Sequence, residues 1–461
     1  MKNHNKIYTF WGNIFQILLT CILLQLAITN SFAEETKGDS LLFYKVKKND
    51  NLYSIAQNFL SQSEIYSLSD FISEIRKLND IPKNNLIHPK QILKIPVMAK
   101  TDTTLLKKIQ HKKLKGIYLN TYNLNSAKLK EIIENYDSLG CNALIVDFKN
   151  TNGNILYPTK NSLALEIGAC QPVISHPEKL IYLLHKHNIS LIARITIFRD
   201  TTLANTHPKW TPKIAKDSIA INTSEVTEKI EWVNPNCVEV QKYNLEIIKE
   251  VISLGVDEIQ LDYVRFPTES HLLDANFGVP DSLRQQVITN FVKSVYQITQ
   301  KAGIKLSADI FGVVAFQNEQ DIMNTGQNVV SMTEYLDRIH PMVYPSHFYG
   351  KFFDEDSLEN KPYYFVRQSC QKLINIIEKK EKIIPYLQAF SLTESQADTS
   401  YIISQMNAVK DCGLEFGYLF WNAKGNYKPT WQALSIIKNE DKLFESETIY
   451  KSEEDTLKNG E

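Results

Sequence analysis

The chain has almost no net charge, with 51 lysines and arginines against 52 aspartates and glutamates in 461 residues. That balance removes the electrostatic footprint of a protein that binds nucleic acid or an anionic membrane, and leaves a neutral or weakly charged partner. Closely spaced cysteines are also missing. Beyond the first 33 residues stand Cys141, Cys170, Cys237, Cys370 and Cys412, an odd number that reads neither as a disulfide framework nor as a zinc site. Cys141 and Cys412 lie beside Gly140 and Gly413, where helices should end, so burial is their expected role. No glycine-rich phosphate loop follows the first strand of the large domain, and no regular EF-hand loop of oxygen ligands occurs. The apolar run Ile14 to Ile28 is short for a bilayer span and carries Gln16, Thr20 and Gln25. With Lys2 and Lys6 before it and Ser31, Phe32, Ala33 after it, the run reads as a secretory signal over residues 1–33. Thr20 makes a poor lipoprotein context for Cys21. The protein is therefore expected to be exported, as a periplasmic, cell-wall associated or extracellular protein with no stable membrane span after cleavage.

What is present is a large apolar share, 43%, and many aromatic residues, with Tyr 22, Phe 21 and Trp 5. This suits a large core as well as it suits sugar faces. Residues 43–97 form a compact βααβ pattern: a strand Phe43 to Val46, helices from about Asn51 to Phe59 and Ser69 to Leu78, and a strand Gln91 to Ile95, with Asp50 as the expected N-cap. A polar, lysine-rich linker covers residues 98–113. From 114 to 437 strands alternate with amphipathic helices, which argues a parallel sheet with helical crossovers. The strand candidates are Lys115 to Asn120, Ala143 to Lys149, Ser190 to Phe198, Asp257 to Phe266, Lys305 to Gly312, Asp337 to Pro345, Lys382 to Phe390 and Gly417 to Ala423. Eight strands close a TIM barrel. The expected fold class is α/β, a (β/α)8 barrel preceded by a small α+β module, with a doubly wound sheet as the alternative. Residues 445–461 are polar and charged and read as a disordered tail.

The fourth strand candidate carries charge where a buried parallel strand should be apolar, at Asp262 and Arg265. A catalytic carboxylate and an internal ion pair both account for Asp262. Alternation puts Glu258, Gln260 and Asp262 on one face, which is the barrel interior. Asp309 stands at a comparable height on the next strand. One protonated and one ionised carboxyl there would suit glycoside hydrolysis, with Arg265 or Arg194 holding Asp262 ionised and burial raising Asp309. The other polar residues expected near the functional rim are Asp147, Arg194, Trp232, Asn234, His340, Tyr344, Gln388 and Trp421. A hard cation on Asp147, Asp262 and Asp309 is the competing arrangement. His340 has a framework role as its alternative, and the tryptophans have packing under loops as theirs. No cofactor is implied.

The small module resembles a LysM domain, through Tyr44, Val46, Asp50, Leu52, Ile55, Ala56, Phe59, Ile75, Asn79, Ile87, Pro89, Gln91, Leu93, Ile95 and Pro96. It departs from that pattern at Asn49 and Lys90, where glycine is usual. The resemblance implies binding of N-acetylglucosamine-containing glycans such as peptidoglycan or chitin. From about Lys115 to Tyr427 the chain resembles a family of glycosyl hydrolase domains related in architecture to the alpha-amylase-like barrels. The segments that carry this are Lys115 to Tyr118; Val146 to Lys149 with Gly153; Ala193 to Ile195 and Phe198 to Asp200; Trp232 to Pro235; Gly255 to Pro267; Ser307 to Gly312; Pro341 to His347; and Trp421 to Ala423. The resemblance implies a nucleophile at the end of strand four, Asp262, and an acid at the end of strand five, Asp309, where such barrels usually carry glutamate. Trp232 to Pro235 also resembles a turn of bacterial barrel hydrolases that act on peptide-free peptidoglycan strands. Together these imply an exported glycoside hydrolase of a cell-wall or related polysaccharide. The alternatives are a catalytically inactive glycan-binding envelope protein and a metal-dependent deacetylase or amidase.

Overall fold

The computed structural model describes residues 40–97, 107–213, 231–316, 318–347, 361–392 and 396–440. The expected signal segment, most of the linker and the polar tail lie outside the described residues. Among the described residues no helix is long and apolar enough to cross a membrane. The chain divides into two compact units.

In the small unit, β1 (Ser40–Lys45) pairs antiparallel with β2 (Ile92–Val97), and α1 (Leu52–Phe59) and α2 (Leu68–Leu78) lie between them in sequence. Leu52, Ile55, Ala56, Phe71, Ile75, Leu93 and Ile95 are buried together as its core. The N-cap of α1 is Asn51, one residue later than expected. Its side chain accepts from the Ser54 amide at 2.8 Å, and Ser54 Oγ accepts from the Asn51 amide at 3.3 Å. Asp50 instead ties the preceding turn, accepting from Lys47 N at 2.7 Å and from the Tyr44 hydroxyl at 2.8 Å. Asn49 and Lys90, the positions that depart from the glycine pattern, both adopt left-handed backbone, with φ 74° and 75°. Asparagine takes this conformation readily, whereas lysine meets the steric cost of its Cβ.

All eight expected barrel strands form. They are β3 (Leu114–Leu119), β4 (Ala143–Lys149), β5 (Ser190–Thr196), β6 (Glu258–Asp262), β7 (Lys305–Ile310), β8 (Arg338–Pro341), β9 (Tyr386–Gln388) and β10 (Gly417–Trp421). Their parallel order is β8-β7-β6-β5-β4-β3-β10-β9, and the bridges Ile339 to Ile383 and Met342 to Tyr386 join the two ends. The result is a near-closed (β/α)8 barrel. Every residue of β4, β5 and β6 is buried, as a strand covered on both faces must be. The longer crossover helices are α3 (Ser126–Leu139), α4 (Pro177–Lys186), α5 (Val238–Ser253), α6 (Arg284–Ala302), α7 (Lys361–Ile376) and α8 (Thr399–Asp411). In α3, Asn125 caps the first turn, Gly140 ends the helix at φ 69°, and Leu129, Ile132 and Tyr136 face the sheet. Cys141 and Cys412 are buried, as their positions at helix ends suggest.

One strand end differs from expectation in a way that shapes the site. The ladder of β6 stops at Asp262, four residues before Phe266, because Tyr263 turns the chain with φ 49°. Arg265 therefore belongs to the loop above the barrel and not to the strand.

Candidate active site

The alternation expected along β6 produces three polar tiers inside the barrel. At the bottom Glu258 pairs with the guanidinium of Arg338 and lies 3.7 Å from Nε2 of His340. Burial opposes its charge, but Arg338 and His340 outweigh that and hold its carboxyl down at about 2. In the middle, Nε2 of Gln260 donates to Asp309 Oδ1 at 2.6 Å and to the Tyr386 hydroxyl at 3.0 Å. At the top Asp262 closes the strand. Leu261 stands opposite Ala308 in the register, which brings Asp262 and Asp309 side by side at the carboxyl ends of β6 and β7.

Three aspartates converge on one cation. Arg194 on β5 donates through Nε to Asp262 Oδ2 at 3.0 Å and through Nη2 to the same oxygen, while Nη1 donates to Asp147 on β4. Its Nε also lies 3.8 Å from Asp309 Oδ2. A guanidinium thus fills the space between the three aspartates, and among the described residues no group of three or more His, Cys, Asp or Glu side chains is placed to hold a metal ion. Burial works against the charge of Arg194, but Asp262 and Asp147 more than offset it and hold its proton firmly. Its plane lies 5.0 Å from the ring centre of Trp421 and 5.4 Å from that of Tyr118, two rings that stack on each other at 3.7 Å.

One guanidinium balances the charge of one carboxylate, so of three buried carboxyls at least one must stay protonated. That one is Asp309. Burial pushes its carboxyl well above the usual range, and the neighbouring charge of Asp262 adds to this, against a smaller pull from Arg194. Asp262 lies within hydrogen-bonding reach of the Asp309 proton. Asp309 Oδ2 accepts no hydrogen bond among the described residues. Asp262 is held differently: besides Arg194, its Oδ1 accepts from the Tyr263 amide at 2.6 Å, a bond that the left-handed turn at Tyr263 makes possible. Asp147 accepts from the Tyr118 hydroxyl at 2.6 Å, and burial raises its carboxyl against the pull of Arg194.

Above this cluster opens a cavity of about 730 Å³, lined by Arg194, Asp262, Tyr263, Arg265, Phe311, Met342, Tyr344, His347, Phe390, Trp421, Asn422 and Lys424, among others. Its volume lies within the range typical of small-molecule sites. Asp262 is the carboxylate that faces the cavity among the described residues, and Asp309, 1% exposed, sits beneath it. Tyr344 lines the cavity, and its hydroxyl is buried with no partner among the described residues. Burial first, then the charges of Asp309 and Asp262, push that hydroxyl well above its usual range.

Of the eleven residues singled out in the sequence, Arg194, Asp262, Arg265, Tyr344 and Trp421 line the cavity. Asp147 and Asp309 support it from below. Four are placed elsewhere, which corrects their reading as substrate contacts. His340 is fully buried in the bottom tier, with Nδ1 at 2.9 Å from the Ile384 carbonyl. Gln388 spans the loops, accepting from Ser346 N at 3.1 Å and donating to the Phe390 carbonyl at 2.8 Å. Asn234 braces a turn, donating to the Phe277 carbonyl at 3.1 Å and accepting from Asn236 N at 2.9 Å. Trp232 is 1% exposed and packs under Arg265 at 4.8 Å. Lys149, on the polar strand β4, is likewise buried away from the cavity, paired with Asp200 at 2.7 Å. Sequence reasoning missed the supporting roles of Tyr118, Gln260 and Tyr386, since a tyrosine on a buried strand reads as core. Their signal is a hydroxyl or amide on the interior face of a strand next to one that bears a carboxylate.

The family model described as "Putative glycosyl hydrolase domain" matches residues 116–427, and a LysM domain model matches residues 44–96. No curated protein matches. Among solved structures, the glycoside hydrolase domain of PgaB (BpsB) from Bordetella bronchiseptica is 10% identical, covers 70% of this chain and 98% of that one, and has a TM-score of 0.50. The likeness is one of fold. A hypothetical protein from Ruminiclostridium thermocellum ATCC 27405 is 28% identical, with 42% of this chain and 96% of that chain covered and a TM-score of 0.36. The spore cortex-lytic enzyme SleL from Bacillus megaterium QM B1551 is 12% identical, with 85% of each chain covered and a TM-score of 0.42.

Proposed function

The chain belongs to this glycosyl hydrolase domain family, and on that premise we propose that it is an exported hydrolase of glycosidic bonds in a cell-wall or related N-acetylglucosamine-containing polysaccharide. The observation that carries the reading is the pair formed by Asp262, bonded to Arg194, and Asp309, whose carboxyl burial raises, beneath a cavity edged by Trp421. The LysM match supports a glycan partner. The basic and then apolar pattern of the N-terminus supports export.

The chemistry follows from the asymmetry of the pair. Glycoside hydrolysis needs a carboxylate to meet the positive charge that grows at the anomeric carbon, and a proton for the departing oxygen. Asp262, fixed by Arg194 and the Tyr263 amide, supplies the first. Asp309 holds the second. Asp309 is buried beneath Asp262 and does not line the cavity, so it does not reach the departing oxygen by itself. In our reading the proton leaves through Tyr344: its hydroxyl, buried in this structure, turns into the cavity to donate to the departing oxygen as the C–O bond breaks, and is reprotonated from Asp309. Water then adds its hydroxide to the anomeric carbon and returns its proton to Asp309. Because the three aspartates share Arg194, we do not extend the reading to a metal-dependent deacetylase.

The test is release of new reducing ends when the purified full chain is incubated with defined chitin and peptidoglycan strands. Release that disappears in Asp262→Asn supports the hydrolase. No release from any strand by the wild-type chain, with glycan binding retained, would support the inactive, glycan-binding alternative.

A further inference from the structure

Arg265 is not explained by the hydrolytic cluster. It is 6% exposed and lines the cavity, yet no carboxylate among the described residues pairs with it. Its Nη1 donates to the Phe266 carbonyl at 2.9 Å and to Thr268 Oγ1 at 3.3 Å, whereas Nε and Nη2 have no partner among the described residues and are not sealed from solvent. The guanidinium is held by aromatic faces: Phe311 at 4.4 Å, Trp232 at 4.8 Å and Tyr263 at 5.6 Å from their ring centres. Glu269 is the nearest favourable charge, but its Oε2 accepts from the Thr268 amide at 2.9 Å and makes no ion pair with Arg265. Arg199, which repels Arg265, is paired with Glu231. Burial draws the guanidinium below its usual range, so it lacks the compensation a buried cation normally has.

The cavity as a whole shares this imbalance. Apart from Arg194, whose charge Asp262 and Asp147 already take up, its described lining carries Arg265 and Lys424 with no carboxylate of their own. The Lys424 ammonium has no partner among the described residues. A planar, aromatic-packed guanidinium with one edge open is preorganised for two parallel hydrogen bonds to a carboxylate. We infer that the cavity recognises an acidic sugar, with Arg265 binding the sugar's carboxylate and Lys424 adding a second, solvent-exposed positive charge. This rests on the glycan reading above and narrows it: the substrate is a glycan with carboxylate-bearing residues.

Three tetrasaccharides test this by calorimetric titration of the full chain in the cold, with each ligand checked for cleavage afterwards. One is neutral N-acetylglucosamine, one carries free lactyl ether carboxylates on alternate residues, and one has glucuronic acid at alternate positions. At least one acidic ligand should bind about tenfold or more tightly than the neutral one. The better of the two identifies the carboxylate source. Arg265→Gln should reduce that preference to about one, and Arg265→Lys should retain part of it. If Arg265→Gln does not fold, the wild-type chain still decides: added salt should weaken acidic binding and leave neutral binding alone, and Lys424→Gln should shallow that salt dependence. Equal affinity of the wild-type chain for all three ligands, or a preference that survives Arg265→Gln, overturns the inference. An acidic preference without reducing-end release overturns only the hydrolase reading, whereas cleavage indifferent to carboxylate and to Arg265 overturns only this one.

Discussion

Replacing Arg194 by methionine should cost more than any single change elsewhere in the site. The side chain is 4% exposed and bonds to Asp262 and Asp147, themselves 4% and 3% exposed, so its loss leaves two buried carboxylates without their cation. Breaking a buried pair by removing one partner typically costs about 3 to 5 kcal/mol, a large fraction of the roughly 5 to 15 kcal/mol that keeps a domain folded. The described tryptophans Trp210, Trp232, Trp421 and Trp431 all lie in the barrel, so their fluorescence during urea unfolding reports on this unit rather than on the LysM module. The deficit must also depend on pH. Arg194 pulls the Asp147 carboxyl down against burial, so without it that carboxyl titrates higher still, protonation relieves the variant before it affects the wild type, and the gap in stability should narrow as pH falls from 7 towards 4. Adding Asp147→Asn to Arg194→Met should recover part of the loss at pH 7. A deficit under about 1 kcal/mol, the size of an exposed pair, or one that does not change with pH, would refute the arrangement of three aspartates around one guanidinium.

Further outcomes follow from single contacts. Tyr344→Phe removes a hydroxyl without a partner among the described residues, so stability to urea should stay within about 1 kcal/mol of wild type while reducing-end release falls at least about 100-fold. Gly153→Ala should destabilise the barrel by about 3 kcal/mol or more, because the backbone is left-handed there and the new Cβ meets the carboxyl of Asp200 that pairs with Lys149. Lys90→Gly should stabilise the LysM module by about 1 kcal/mol, read as slower hydrogen exchange of its amides, since φ is 75° at that position.

The architecture was legible because its signals are periodic. Eight apolar strand segments, spaced by amphipathic helices, lead to a barrel whatever the chemistry of its rim. Period-two alternation likewise found Glu258, Gln260 and Asp262 on one face, and the strand ends found Asp309 and Arg194. What alternation could not reveal was the end of β6, since Val264, Arg265 and Phe266 continue the strand composition past the left-handed turn at Tyr263. It also could not separate residues above the barrel rim from those inside it. His340 stands at a strand end in sequence, yet its ring lies in the bottom tier against Glu258. Gln388 and Asn234 looked like ligands because they are polar near the rim, but loops consume such side chains in satisfying their own backbone groups. In the small module, Asp50 and Asn51 are both good N-caps, and only the backbone geometry decides between them.

The central claim is that Asp309 holds the catalytic proton beside an ionised Asp262, and the pH dependence of kcat/KM for reducing-end release tests it most directly. Between the ordinary carboxyl value of about 3.9 and the raised value in the fold, the folded chain keeps a proton that the unfolded chain has lost. The stability contributed by this proton is full below the ordinary value and is lost as pH rises through the raised one; activity should decline over the same upper limb. The account predicts a wild-type profile whose alkaline limb lies well above the ordinary carboxyl range, and an Asp309→Asn variant that is at least about 100-fold slower and lacks that limb. A limb near the ordinary carboxyl value, or an Asp309→Asn variant with the wild-type rate and profile, would contradict it.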